Sequence, residues 1–274
     1  MSVSVYLSDK LRLCGRKFLI EAVENQNINS DGIILDDNVF TTLAFVNLTK
    51  DGERSFAFAR KPGADTMIGY KEVDTELLQN TKVFHVGSLS LTDEPARSTT
   101  FQAVKCAKNA GAVISYDPNY RAPLWNNEKT AIERMRSMLP FADMIKLSDE
   151  ETALLTPYEN PDEAANYLLD HGIKIVAVTL GKEGVLICNR KDHQKVNGFS
   201  SQVVDTTGAG DSFWGGFMSQ FVKSKLNPED CSIEELKKFA RYGNAVASLC
   251  IEKKGGILSI PEEKETFKRL QLSV

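Results

Sequence analysis

The stretch Ile173-Lys174-Ile175-Val176-Ala177-Val178-Thr179-Leu180-Gly181 is apolar at nearly every position. It lacks the alternation of a strand that shows one face to water, so it reads as a strand buried on both faces. A helical pattern that Pro161 opens runs up to it and ends near Gly172. Working outward, ADMIKLS (142–148), AVISYDPN (112–119) and KVFHVGSLSL (82–91) read as further strands. Helical patterns over 128–138 and from Pro95 to Ala110, stopped by Gly111, separate them. GVLICN (184–189) follows closely enough to pair antiparallel at one edge, and helical stretches at about 211–223, 232–250 and 262–271 close the chain. Buried strands alternating with helices define an α/β architecture, a doubly wound, mostly parallel sheet flanked by helices.

Residues 39–48 (VFTTLAFVNL) and 55–60 (SFAFAR) are rich in β-branched and aromatic residues, with Asp51-Gly52 between them as a hairpin signal. This pair forms a small β lid, about 39–60, within a single domain spanning 1–274. Residues 17–28 read as an amphipathic helix, whereas 1–16 show no clear period and are left unplaced.

Composition excludes several classes. The 274 residues carry 33 Lys and Arg against 37 Asp and Glu, a net charge of −4, with 42% hydrophobic and 26% charged residues. These are values of an ordinary globular chain rather than a disordered or fibrous one. No basic block exists to meet nucleic acid or an anionic membrane, and no apolar run is long enough to span a bilayer. Cys14, Cys106, Cys188, Cys231 and Cys250 are scattered and form no C-x-x-C pair. They read as small buried hydrophobes in a reducing compartment, the cytoplasm, rather than as disulfide or zinc partners.

The chemistry concentrates in Val204-Asp205-Thr206-Thr207-Gly208-Ala209-Gly210-Asp211-Ser212-Phe213. It leads from a strand-like SQVV into an amphipathic helix marked by Phe213, Phe217 and Phe221. Backbone N–H groups of Gly208, Ala209 and Gly210 at a helix N-terminus make an anion site. Asp211 in the first turn is placed to take a proton from a hydroxyl that attacks there. Asp211 is also a favourable first-turn acid, and the glycines also a tight turn. The run is not a dinucleotide fingerprint, because the third glycine position is Phe213, and no Walker A motif occurs.

DTTGAGDSF resembles the carboxy-terminal signature of the ribokinase or PfkB carbohydrate kinases. FARKPGAD (58–65), VFHVGSLSL (83–91), SYDPNYRAPLW (115–125), DMIKLSDEE (143–151), VTLGKEGV (178–185) and NAVASLCIEKKGGILSIP (244–261) resemble fructokinase segments in the same order. The resemblance covers about 17–274 and implies a ribokinase-like fold and ATP-dependent phosphorylation of a sugar hydroxyl, fructose to fructose 6-phosphate. It makes Asp211 the catalytic base, and Gly208, Ala209 and Gly210 the anion hole. Thr179, Gly181 and Gly184 become the nucleotide loop, and Asn244 a neighbour of the adenine. It makes Arg121 and the lid's Arg60 sugar contacts. Asp205, Thr207 and Ser259, with main-chain atoms of Cys250, Lys253 and Gly255, become a K⁺ loop. Glu151 becomes an organiser of Mg²⁺, with Ser148 where the family has asparagine. Ser148-x-x-Glu151 is equally a helix capping box. His85, His171 and His193 receive no role, and Trp125 and Trp214 read as packing anchors. Partners implied are a sugar and ATP, with a homodimer through the lid by analogy.

The amino-terminal part lacks the family's Gly-Gly-x-x-x-Asn sugar motif. The expectation is therefore a shortfall of at least one βαβ unit, about 30 residues or more, whether from a truncation, a frame shift or a mis-assigned start. The alternatives kept open are an impaired nucleotide-binding member, a 2-keto-3-deoxygluconate kinase and a nucleoside kinase.

Overall fold

The structure, a computed structural model, describes residues 15–48 and 54–271. The chain divides into two compact units, Met1–Ala112 with Asn119–Ser137, and Val113–Pro118 with Met138–Val274. The expected Asp51-Gly52 turn and residues 1–14 of the unplaced opening segment, Cys14 among them, lie outside the described residues, while Gly15 and Arg16 begin the first helix.

The first unit contains α1 (Gly15–Glu24), β1 (Leu43–Leu48), β2 (Arg54–Ala59), α2 (Thr75–Gln79), β3 (Val83–Gly87), α3 (Ala96–Asn109) and α4 (Glu128–Arg136). β1 and β2 pair antiparallel with Leu43 opposite Ala59 and Leu48 opposite Arg54, which is the expected lid hairpin. β3 is shorter than the apolar run promised, because Ser88–Leu91 turn into a 3-10 helix. α3 buries Ala96, Thr99, Ala103, Val104 and Ala107, the spacing of one helical face. Gly111, at φ 91°, then turns the chain out of it.

The second unit contains β4 (Val113–Asp117), β5 (Met144–Ser148), α5 (Thr152–Leu155), α6 (Pro161–Asp170), β6 (Ile175–Thr179), β7 (Val185–Cys188), β8 (His193–Val196), α7 (Ala209–Ser224), α8 (Ile233–Cys250) and α9 (Glu263–Gln271). β4, β5 and β6 are parallel neighbours, and β7 and β8 continue the sheet antiparallel. Met144, Ile145 and Leu147 of β5, Ile175 to Val178 of β6 and Val185, Ile187 and Cys188 of β7 are fully buried. This is the both-faces burial that the unbroken apolar runs called for. β7 is not an edge strand as expected, since the polar strand β8 pairs with it.

α7 buries Phe213, Trp214, Phe217 and Phe221. It meets α8 at glycine: a Cβ on Gly243 would stand 2.6 Å from the Phe213 carbonyl oxygen, so the close crossing needs a residue with no side chain. Trp214 stacks on Phe217 with centroids 4.7 Å apart, and its indole N–H donates to Ser115 Oγ in β4 at 2.8 Å. The packing role expected of Trp214 holds. Trp125 is buried as well, and its indole nitrogen has no hydrogen-bond partner among the described residues.

SQVV is not a strand. The N–H groups of Val204 and Asp205 both donate to the Ile251 carbonyl just past α8, so this segment is held by a helix end instead of a sheet. Among the described residues no helix is long and apolar enough to cross a membrane.

Candidate active site

Parallel pairing sets Tyr116 of β4 opposite Ile145 of β5, and one residue on, Asp117 and Lys146 meet. Lys146 Nζ lies 2.6 Å from Asp117 Oδ2, and both side chains are buried. Burial pushes the Asp117 carboxyl up to about 6 despite the ammonium beside it, with the negative charges of Glu151 and Asp211 pushing the same way. Burial, together with Glu151 and Asp117, also raises the Tyr116 hydroxyl well above its ordinary value.

The amino end of α7 opens on the same place. Gly208 caps the helix with φ 78°, a left-handed conformation that glycine adopts without strain. Ser212 N–H donating to the Gly208 carbonyl is the first i to i−4 bond, so the N–H groups of Gly210 and Asp211 come before the ladder begins. Ala209, expected as an anion-hole donor, spends its N–H on the Thr206 carbonyl at 3.2 Å. A Cβ on Gly210 would stand 3.0 Å from Lys146 Nζ. The helix end thus presents N–H donors and a dipole with an ammonium beside them, an arrangement suited to a phosphoryl group. Asp211 is exposed in that first turn and makes no side-chain hydrogen bond within the described residues.

Glu151 is buried in a 3-10 turn after β5, where Oε2 accepts from Ser148 N–H at 2.8 Å and from Ser148 Oγ at 3.2 Å. The capping box is therefore real. Among the described residues no group of three or more His, Cys, Asp or Glu is placed to hold a metal ion. That donor set fits a hard cation that arrives with phosphate and water, not one in an all-protein cage.

The segments expected to form the K⁺ loop lie together. Asp205 Oδ1 accepts from Thr207 N–H at 2.8 Å and Oδ2 from Gly255 N–H at 3.3 Å, tying the two segments together. Ser259 is fully buried and donates to the carbonyls of Gly255 and Gly256, 3.0 Å from Cys250 Sγ. The oxygens gathered here are carboxylate, hydroxyl and carbonyl, which suit a monovalent hard cation.

In the expected nucleotide loop, Leu180 N–H donates to the Gly184 carbonyl at 2.8 Å around a 3-10 turn. Gly184, at φ 101°, passes so close to β8 that a Cβ would stand 2.1 Å from the Val196 carbonyl oxygen. Thr179 Oγ1 donates to the Leu147 carbonyl at 3.3 Å. Asn244 is not on the helix surface: it is buried, and its amide donates to the carbonyls of Val196 and Asn197 at 3.0 and 3.1 Å. Its amide is committed to holding the end of β8.

In the first unit the two arginines separate. Arg60 is buried, with Nε and Nη2 on Asp65 Oδ2 at 2.8 and 2.5 Å, Nη1 on Thr92 Oγ1 at 2.7 Å and Nη2 on the Leu89 carbonyl at 2.7 Å. This fork is filled from within, which corrects its expected role as a sugar contact. Arg121 is exposed, and among the described residues its guanidinium meets only its neighbour's carbonyl, Tyr120 O at 2.9 Å. Of the histidines, His193 faces Asp162 at 3.0 Å and His171 stacks on Tyr167.

The sequence reading missed Asp117 and Lys146. A signal was present, since a lysine inside Met-Ile-Lys-Leu and an aspartate ending Val-Ile-Ser-Tyr-Asp are charges in strands otherwise buried, and such charges need partners.

Comparison with known proteins agrees with this geometry. Probable fructokinase-5 of Arabidopsis thaliana is 38% identical over 254 residues, which are 92% of this chain and 78% of that protein. The crystal structure of Xylella fastidiosa fructokinase with bound ATP matches with a TM-score of 0.89 at 28% identity, covering 99% of this chain and 85% of that one. Vibrio cholerae O395 fructokinase, solved with fructose, ADP and calcium ion bound, matches with a TM-score of 0.88 at 26% identity, covering 98% and 85%. The pattern of the pfkB family carbohydrate kinases matches residues 16–263, and it takes in every element from β1 to α8. On that match and on relatives aligned along nearly all of its length, the chain belongs to the pfkB family of carbohydrate kinases.

Proposed function

We propose that the chain transfers the γ-phosphoryl group of ATP to the C6 hydroxyl of fructose, giving fructose 6-phosphate and ADP. One observation carries the chemistry: Asp211 stands exposed in the first turn of α7, at a glycine-capped helix end with Lys146 beside it. The hydroxyl oxygen forms the new bond to phosphorus as the bond to the β-phosphate oxygen breaks. Asp211 takes the hydroxyl proton. The N–H groups of Gly208 and Gly210, with the helix dipole, face the charge that spreads over the transferred oxygens. Fructose as the acceptor is supported by the fructokinase relatives and by the fructose-bound neighbour.

Mg²⁺, when bound with the nucleotide, neutralises phosphate charge, and Glu151 is the carboxylate suited to orient it through water. Asp205, Thr207 and Ser259 would hold K⁺ beside the helix end. Thr179, Gly181 and Gly184 would line the nucleotide, and Arg121 would meet the sugar. We place the kinase in the cytoplasm, in keeping with Cys106, Cys188, Cys231 and Cys250 being free thiols. Burial holds the Cys188 and Cys231 thiols above their usual range, Cys231 at about 12. Pairing of two copies through the lid accords with Phe45, which is 57% exposed on β1.

The test is an ADP-release assay across fructose, 2-keto-3-deoxygluconate, ribose and nucleosides. Fructose is expected to give the highest kcat/KM, and a preference for any of the others would replace it. Activity of Asp211→Ala at the wild-type level would sink the mechanism.

A further inference from the structure

Lys146 sits in β5 between the fully buried Ile145 and Leu147, and its partner Asp117 ends the neighbouring strand. An ammonium in such a place is costly unless it is paired, and an apolar pair of like volume is often as stable or more so. Stability alone therefore gives no reason for the pair, but its open side does. Nζ is directed at Gly210, and the absence of a side chain there is what admits it. Asp117 on β4 is its ion-pair partner, and Glu151 after β5 and Asp211 on α7 both act electrostatically on Asp117. Among the described residues three carboxylates stand to one ammonium here, so an arriving phosphoryl group needs that cation held in place.

We propose that Asp117 is a positioning residue for phosphoryl transfer, holding the Lys146 ammonium against the first turn of α7 where the transferred group arrives. The inference rests on the kinase reading above. Lys146 meets the phosphoryl oxygens, while Asp117 touches neither sugar nor nucleotide. Its work is to fix a four-carbon stem in one rotamer before the substrate binds, so that the ordering cost is met during folding.

A double-mutant cycle on the full chain tests this, with Asp117→Asn, Lys146→Met and both together. The readouts are kcat, fructose KM, MgATP affinity by calorimetry and the melting temperature. Each single change is expected to lower kcat about 100-fold, the scale of losing one preorganised group at a transferring centre, while fructose KM stays within about threefold. MgATP affinity is expected to weaken about tenfold, and the double variant to be no worse than Lys146→Met, because Asp117 acts through the lysine. An active wild type in which Asp117→Asn keeps kcat within about twofold, or in which the two losses multiply, overturns the inference alone. A wild type that phosphorylates no sugar overturns the kinase reading and this inference with it. Should Asp117→Asn fail to fold, Asp117→Glu carries the comparison, since it keeps the charge but moves the ammonium. A tenfold or greater loss in kcat at unchanged fructose KM supports the proposal, and a kcat within about twofold overturns it.

Discussion

The first turn of α7 and the base of the lid hairpin both set a charged side chain close to a glycine, and they use the glycine in opposite ways. At Gly63 a Cβ would stand 2.2 Å from Thr42 Oγ1, 2.7 Å from Asp65 Oδ1 and 2.9 Å from Arg60 Cγ. Thr42 donates to Asp65, Asp65 holds Arg60, and Arg60 holds Thr92, whose carbonyl accepts from Arg134 of α4. The glycine there lets a polar network close on itself. At Gly210 the missing side chain leaves an ammonium facing an open helix end, and the neighbouring Asp211 is left to the solvent. One region completes its hydrogen bonds internally, while the other leaves a carboxylate exposed at a helix end. A charged residue near a glycine is thus no sign of a ligand until burial and partners are known.

The contrast can be broken at four points. The largest effect is expected at Asp211→Asn, a loss of about a thousandfold in kcat with little change in melting temperature, because the proposed base acts on the transition state and its side chain makes no hydrogen bond among the described residues. Stopped-flow ADP release beside thermal melts checks both halves. Next comes the pH dependence of stability relative to Asp117→Asn. The folded-state carboxyl titrates at about 6 and its ordinary value is 3.8. A carboxyl raised in this way gives stability that is fully present below about 4 and lost as pH rises through 6. Chemical denaturation of both proteins should therefore show the wild type losing up to about 3 kcal/mol relative to the variant over that window, since each pH unit between the folded and unfolded values is worth about 1.4 kcal/mol. A flat difference would mean that the ion pair cancels the effect of burial, and a slope of opposite sign that it outweighs it.

A smaller effect is expected at Gly63→Ala, about 2 kcal/mol of stability, since the new methyl strikes three groups of a closed network. The matching Gly210→Ala meets only the flexible end of a lysine, so it should melt within a few degrees of wild type and lose kcat instead. If Gly63→Ala spared stability and cost activity, the two regions would not differ as described. The smallest effect is at Arg121→Ala, about a tenfold rise in fructose KM with unchanged melting, worth about 1.4 kcal/mol. Arg60→Ala should do the reverse, lowering the melting temperature more than it raises KM.

Much of this was legible in the sequence because it rests on local pattern. The buried runs at 113–117, 144–148 and 175–179 gave strands, since continuous apolarity has few other uses between helices. The capping box at Ser148 and Glu151 and the helix after Gly210 were legible for the same reason. β8 was not, because His193-Gln194-Lys195-Val196 is polar, as an outer strand can be. SQVV misled because β-branched residues there answer to a carbonyl some fifty positions later, at Ile251. Arg60 misled for a similar reason: Thr92 lies 32 residues away, and nothing near Arg60 announces it. Asn244 shows the same limit, since its partners at 196 and 197 are brought to it only by the fold.

The stacking of Trp214 on Phe217 has an optical consequence. The chain has two tryptophans. One of them lies three residues from Asp211, clamped by its bond to Ser115 on the strand that ends in Asp117. Its emission is therefore expected to respond to a ligand that settles at that helix end. A Trp125→Phe background would leave a single fluorophore through which the arrival and departure of each nucleotide can be timed without a label.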